Sequence, residues 1–364
     1  MRVALVSYYY PEFTLAEANA LAAQGVQVLL VAPHAPLMPY RHTLSPAVEP
    51  HLFGGRRLRD PLNVLDVWQL VTTIKHWRPD VIHLQQGQLW FNLIGLPLLA
   101  KYPLVTTVHD VVSHPGDGYA RRTPQWIWDI AMTRADQLIV QGQALRQQLM
   151  ERHHLPAEKI HLVPHGQLGV YADWAQADAA LPPTDADRIL FFGRIWPYKG
   201  LQYLIQAEPL ITAEVPTARI VIAGEGESLE PYRRLMAHPE HFEIHNHFLS
   251  PPEVARFFQQ AAVVALPYVE ASQSGVVPIA CAFGKPVVAS RVGSLAELVD
   301  DAETGFLVPP RDVPRLVQAI VTLLKDKALR QHMGDRARLK ANTDLSWDKR
   351  AEKVRAVYQA ALAA

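Results

Sequence analysis

The segment RILFFGRIWPYKGLQYLIQAEPLITAEVPTARIVIAGEG, residues 188–226, decides the fold. Its two ends, RILFFGR (188–194) and ARIVIAGEG (218–226), are apolar runs of strand length. Between them Leu201, Leu204 and Ile205 mark an amphipathic helix beginning near Lys199. Strand, helix and strand in that order form the unit of a parallel sheet, whose strands are buried on both faces and so read as continuous apolar runs.

The alternation extends in both directions. Upstream lie RVALVS (2–7), VQVLLVA (26–32), DVIHLQ (80–85), PLVTTVHD (103–110), DQLIVQG (136–142) and KIHLVPHG (159–166), with helical spacing over Thr14 to Gln24 and Asn63 to Trp77. Downstream lie FEIHNHFLS (242–250), AVVALPYVE (262–270) and KPVVASRVG (285–293), with helices expected near Ser228, Pro251, Gly275 and Ser294. After Gly166 the stretch QLGVYADWAQADAALPPTDAD shows no sustained period and reads as a linker. The expected organisation is therefore an N-terminal doubly wound domain (1–167), a linker (168–187), a second α/β domain (188–345) and a helix (346–364). That helix, with Ser346 as its cap, is expected to pack back toward the N-terminal domain.

At 364 residues the chain is longer than one ordinary domain, and 49% hydrophobic against 19% charged residues is a globular balance. Thirty-five basic and 35 acidic side chains cancel, so no global field draws the chain to nucleic acid, and any anion site must be built locally. No apolar run is long enough to span a bilayer. The start, MRVALVSYYYPEF, has too short an apolar core for a secretory signal, so a cytoplasmic location is expected. The single Cys281 excludes paired-cysteine zinc sites and, within an apolar helical stretch, reads as a packing thiol.

Ligands of open α/β sheets lie beyond the carboxyl ends of the strands. After RILFFG come Arg194 and, past Pro197, Lys199 and a helix start. That set suits a diphosphate, through a guanidinium fork, a point charge and backbone N–H groups, although a solvated strand-to-helix loop fits the same spacing. After the strand AVVALPYV, Glu270 is followed by Ser272, Gln273, Ser274 and Gly275 ahead of another helix start. These residues read either as phosphate and sugar contacts or as simple caps.

Together these segments resemble the retaining nucleotide-sugar glycosyltransferases of family 4, whose GT-B fold has two facing Rossmann-like domains and an interdomain cleft. The resemblance runs through FFGRIWPYKGLQYLI, IVIAGEGE, ALPYVEAS and GKPVVASRVGSLAELVDDAETGFLVPPRD, and covers nearly the whole chain. It implies that Arg194 and Lys199 grip the donor diphosphate and that Glu270 contacts the donor sugar. It also implies that Ser274 and Gly275 hold phosphate and that His109 touches the donor sugar from the first domain. Gly224 and Gly226 would allow close backbone approach to the donor beside the rim charge Glu225, and main-chain groups at Phe248 and Leu249 would hold the base. Two departures stand out. Where the family has a second, ribose-binding glutamate this chain has Pro278 or, in the shifted register, Ile279. The loop YYYPEFTLAEAN lacks the family's glycine pair.

Other motifs read structurally. Asp185-Ala186-Asp187 precedes a strand and belongs to strand entry, Asp300-Asp301 to surface solvation, His165-Gly166 to a turn, and Trp126, Trp128 and Trp347 to core or interdomain packing. The GGRRLRD loop (Arg56, Arg57, Arg59) reads as solvated, with peripheral contact at the inner membrane face as the alternative. The expected activity is transfer of a sugar from a nucleotide diphosphate donor, UDP or GDP, to a hydroxyl acceptor on a sugar, lipid-linked sugar or small molecule. Retention is expected, with no metal, no other cofactor and no nucleic acid. The rivals are a nucleotide-sugar epimerase of the same fold and a non-catalytic nucleotide- or partner-binding member.

Overall fold

The structure, a computed structural model, describes residues 1–58, 60–112, 123–178 and 181–364. The first sheet comprises β1 (Arg2–Ser7), β2 (Gln27–Pro33), β3 (Val48–Phe53), β4 (Val81–Gln86), β5 (Leu104–Val108), β6 (Gln137–Val140) and β7 (Ile160–Leu162), in the order β3-β2-β1-β4-β5-β6-β7. The second comprises β8 (Arg188–Phe192), β9 (Arg219–Ala223), β10 (Phe242–His245), β11 (Val263–Leu266), β12 (Val287–Ser290) and β13 (Gly305–Val308), in the order β10-β9-β8-β11-β12-β13. All strand pairs are parallel. Each sheet starts at an interior strand, grows one way through two strands and then reverses. The reversal leaves a crevice at the carboxyl ends of β1 and β4 in one sheet and of β8 and β11 in the other.

The described residues up to Gly166 form one compact unit together with Ser346–Ala364, and Gln167–Leu345 form the other. Each has its own apolar core of strand residues and the helix faces covering them, Val67, Leu70 and Ile74 in the first and Leu204, Ile211 and Ile320 in the second. The sequence reading missed β3 and β13, which lie at sheet edges. The other two edge strands, β7 and β10, were read; β3 differs in carrying Glu49, Pro50 and His51, a proline that an edge tolerates, and β13 is only four residues long. The reading of 168–187 as a plain linker is corrected by the helix Val170–Ala177, which buries Tyr171 and packs on the helix Pro251–Gln260. Two turns are too few for a helical period to show in the sequence.

A polar network runs through the first unit beneath the crevice. Glu17, on the helix Pro11–Ala23, is fully buried and pairs with Arg350 Nε at 2.9 Å. Gln85 Nε2 also donates to Glu17, and Thr14 Oγ1 donates to Gln85 Oε1 at 2.6 Å. Arg350 lies on the helix Trp347–Ala363, which Ser346 caps by accepting from Lys349 N. Its Nη1 donates to the carbonyls of Val163 (3.2 Å) and Pro164 (2.7 Å), and its guanidinium sits 4.7 Å from the Phe13 ring centroid. Further along the same helix the Tyr358 hydroxyl bonds His83 Nδ1 at 2.7 Å, while His83 Nε2 bonds Thr107 Oγ1 at 2.8 Å.

Removing one partner of a buried ion pair strands the other charge. Arg350→Met is therefore expected to destabilise the first unit by about 3 to 5 kcal/mol. Glu17→Leu combined with Arg350→Met should recover most of that loss in denaturant melts. Equal stability of the single variant and wild type would show that the pair holds nothing.

Candidate functional site

In the second unit the chain leaves β8 at Phe192, passes the exposed Arg194 and forms a 3-10 turn, Pro197–Lys199, before the fourteen-residue helix Leu201–Glu214. Gly200 joins turn to helix with φ +66°, and a Cβ there would lie 1.9 Å from the Pro267 carbonyl oxygen. Only glycine permits that approach, and it seats the β8 loop against the β11 loop. Val269 N then donates to Tyr198 O at 2.8 Å. Lys199 Nζ rests 3.9 Å from the centroid of Tyr268, a fully buried ring whose hydroxyl is driven further toward its neutral form by desolvation.

These contacts bring Arg194 and Lys199 onto the same crevice as Glu270, Ser272, Gln273, Ser274 and Gly275. Glu270 is exposed, Ser272 and Ser274 are buried, and Ser274 Oγ accepts from Val276 N at 3.3 Å. Gln273 Oε1 is buried without a hydrogen-bond partner among the described residues. Phe248, 81% exposed, and Leu249 follow β10 at the sheet edge, outside the two tied loops. Pro278 and Ile279, at the place of the expected second acid, are buried in the helix Val276–Ala282.

His109 stands one residue beyond β5 in the first unit. It is 3% exposed, with ring centroids of Tyr10 at 4.5 Å and Phe13 at 5.6 Å. Tyr10 adopts φ 57°, a left-handed conformation that is costly for a tyrosine, in the loop where the glycine pair is missing. His165 packs on Phe13 with ring centroids 4.8 Å apart, and its Nδ1 lies 2.6 Å from Gly166 O. Burial holds both imidazoles neutral, pushing His109 down to about 4 and His165 to about 3.

Residues 12–166 match the profile of Glycosyltransferase Family 4, and residues 186–326 that of Glycosyl transferases group 1. The chain belongs to the family 4 glycosyltransferases. It is 27% identical to a glycogen synthase of Mycobacterium tuberculosis over 99% of this chain and 95% of that protein. It is 34% identical to a D-inositol 3-phosphate glycosyltransferase of Mycobacterium avium over 63% of this chain and 55% of that protein. Among solved structures, Anabaena HepE in complex with UDP-glucose has the same fold, with a TM-score of 0.74, 18% identity and 99% of each chain covered. Two parallel-sheet Rossmann-like domains are the GT-B architecture expected from the sequence.

Several readings of this glycosyltransferase change with the structure in hand. Gly224 takes φ +148°, and a Cβ there would lie 1.9 Å from Gly193 O, while one on Gly226 would lie 2.1 Å from Ile195 O. The chain's own β8 loop therefore accounts for both glycines without a ligand. Glu225 is exposed, and its carbonyl accepts from Ile195 N at 2.9 Å. Trp126, expected to pack, is 57% exposed, whereas Trp128 packs on the first core and Trp347 on Phe13 at 5.2 Å. Asp300 and Asp301 are paired with Lys340 and Arg291, each at 2.7 Å, beyond simple solvation. Asp187 bonds Thr217 Oγ1 at 2.6 Å at the strand entry. Burial pushes the Cys281 thiol up to about 12, as suits a packing residue. Arg56 pairs with Asp66 at 2.8 Å, and Arg59 lies outside the described residues. No group of three or more His, Cys, Asp or Glu among the described residues could hold a metal ion. Tyr268 went unnoticed in the sequence, although an aromatic residue two positions after an apolar strand and six residues before Ser274 was the available signal.

The buried imidazoles give the first unit a pH dependence. His83 (down to about 4), His109 and His165 stay neutral when folded, yet each takes a proton in the unfolded chain below about 6.5. Their contribution is complete above that value and is lost as the pH falls toward about 4. The expected slope is about 1.4 kcal/mol per pH unit for each imidazole inside that window. Urea midpoints measured from pH 7 to pH 5 should fall steadily, and His165→Gln should flatten the slope by one proton. A level wild-type profile would contradict this reading.

Proposed function

We propose that this glycosyltransferase moves a sugar from a nucleotide diphosphate donor, UDP- or GDP-linked, to a hydroxyl acceptor with retention at the anomeric carbon and without a divalent ion. The observation that carries the reading is the seating of the β8 loop on the β11 loop. It gathers two cations, a helix start and a carboxylate at the point where the strand order reverses. HepE, solved with UDP-glucose, favours a UDP-linked sugar. The names of the two curated relatives share sugar transfer and differ in acceptor, so a hydroxyl is the common denominator.

Departure of the diphosphate is the demanding step. Arg194 offers a planar fork and Lys199 a point charge, and the N-terminus of the helix Leu201–Glu214 adds aligned N–H groups. All three favour charge developing on the leaving phosphate, which preorganised donors stabilise without reorganisation. The Tyr198 and Tyr268 rings under Lys199 fix the ammonium by cation–π contact. Glu270 orients the sugar hydroxyls, and Ser272, Gln273, Ser274 and Gly275 line the phosphates. By the resemblance, His109 touches the donor sugar, and its neutral ring would donate or accept a hydrogen bond without adding charge. With Pro278 and Ile279 buried, ribose is held by groups other than a second glutamate. The acceptor hydroxyl attacks from the face the phosphate leaves, and its proton passes to that phosphate. No helix among the described residues is long and apolar enough to cross a membrane, and the proposed setting is the cytoplasm, with peripheral membrane contact through the Arg56–Arg57 loop as the alternative.

A thermal-shift panel of UDP, GDP, ADP, dTDP and CDP should show one or two stabilising ligands, UDP or GDP foremost. Arg194→Ala and Lys199→Ala should each weaken that ligand at least tenfold, since bonds to charged groups contribute about 1.5 to 3 kcal/mol. Glu270→Gln should cut turnover at least tenfold, about 1.4 kcal/mol of barrier, with diphosphate affinity unchanged. Wild-type kinetics in all three variants would remove the site. Activity is expected to persist in EDTA, and full loss restored by magnesium or manganese would overturn the metal-free reaction.

A further inference from the structure

Gln141 is 6% exposed, and neither its amide nitrogen nor its amide oxygen has a hydrogen-bond partner among the described residues. His109 is buried with Nε2 equally unpartnered. A buried amide left unpaired is destabilising, whereas an apolar side chain of the same shape would sit there without that loss. Some other buried side chains of the first unit are bonded at both ends. Gln85, fully buried, donates to Glu17 and accepts from Thr14, and both ring nitrogens of His83 are bonded. Other buried polar atoms of the first unit also lack partners, among them Tyr8 Oη, Asn92 Oδ1, Arg146 Nε and Arg350 Nη2, but among the described residues only Gln141 has both ends of an amide unpaired, and His109 shares its place.

That place is set by strand register. Val108 of β5 pairs with Val140 of β6, so His109 and Gln141 are the first residues past the carboxyl ends of adjacent parallel strands. This is the edge of an open α/β sheet at which ligands bind. A carboxamide presents donors and an acceptor in one plane with no charge. Hydroxyl groups, which both donate and accept, satisfy it fully. An anion would leave the amide oxygen unpaired, and a cation the nitrogen.

We infer that Gln141 binds a neutral hydroxyl of the acceptor and so selects polyol acceptors over charged ones at this position. The inference rests on the transfer reaction proposed above for the word acceptor; the hydroxyl site itself rests on the unpaired amide. Gln141 is a binding and specificity residue, with no part in bond making.

The test uses Gln141→Met, which keeps the shape, and Gln141→Leu as a second apolar variant. Melting temperatures are measured without ligand. Binding of glucose, maltose and myo-inositol is followed by saturation-transfer NMR, with and without the diphosphate that stabilises the wild type. Expected are melting temperatures at or above wild type, unchanged diphosphate affinity and at least tenfold weaker binding of whichever polyol the wild type takes. A lower melting temperature in both variants would make Gln141 a structural residue and overturn the inference. Unchanged polyol binding would overturn it as well, as would a wild type that binds diphosphate but none of the three polyols. A wild type that binds polyol through Gln141 and no diphosphate would instead overturn the transfer reading and leave the hydroxyl site standing.

Discussion

Both units obey one constraint. A parallel sheet that begins at an interior strand must reverse direction to add its remaining strands, and at the reversal no crossover helix covers the carboxyl ends of the two middle strands. The proposed phosphate and sugar contacts of the second unit hang from those ends, whereas His109 and Gln141 follow the next strands over, β5 and β6. Arg194 and Lys199 follow β8, Glu270 and Ser274 follow β11, and in the first unit the Ser7–Tyr10 loop follows β1. The side chains need not be close in sequence, because right-handed crossovers return each strand to the same edge. What remains is fine positioning, which Gly200 supplies by letting one loop rest on the carbonyl of the other.

The two units solve their polar burdens differently. In the second, ionisable groups are taken inward singly: Lys285 is held by Thr184 Oγ1 at 2.7 Å and Gln259 O at 2.8 Å, and the buried Glu208 by Thr212 Oγ1 at 3.0 Å and His238 Nδ1 at 3.1 Å. In the first, a full ion pair is taken into the core, where its worth depends on every remaining lone pair finding a partner. Glu17 is bonded by Arg350 and Gln85, and Arg350 also reaches two carbonyls. The network underlies Phe13, against whose ring both His109 and His165 pack. Core charge and crevice geometry are therefore one construction.

The fold was legible because strands buried on both faces announce themselves as apolar runs, and eleven of the thirteen did so. The two that did not are β3, whose Glu49, Pro50 and His51 break the apolar run, and β13, which is only four residues long. The helix Val170–Ala177 escaped because its two turns sit among polar residues and prolines. In the site, residue types could be read from spacing, since cations and a carboxylate after strand ends have few uses. Reasons could not. Gly224 looked like room for a ligand and proves to be room for Gly193, a contact between residues thirty-one positions apart that no local pattern encodes. The pairing of Glu17 with Arg350 was invisible for the same reason.

That pairing also shapes how the protein comes into being. Glu17 and Arg350 are 333 residues apart, and the entire second unit is threaded between the two pieces of the first. A ribosome adding roughly 5 to 20 residues per second takes on the order of tens of seconds to reach the arginine. Throughout that interval the emerging first sheet has a carboxylate where its core should close, while Gln167–Leu345 is a continuous stretch that can complete itself. The unit encoded first is therefore the one to mature last, and its half-built surface is the natural client of chaperones during synthesis.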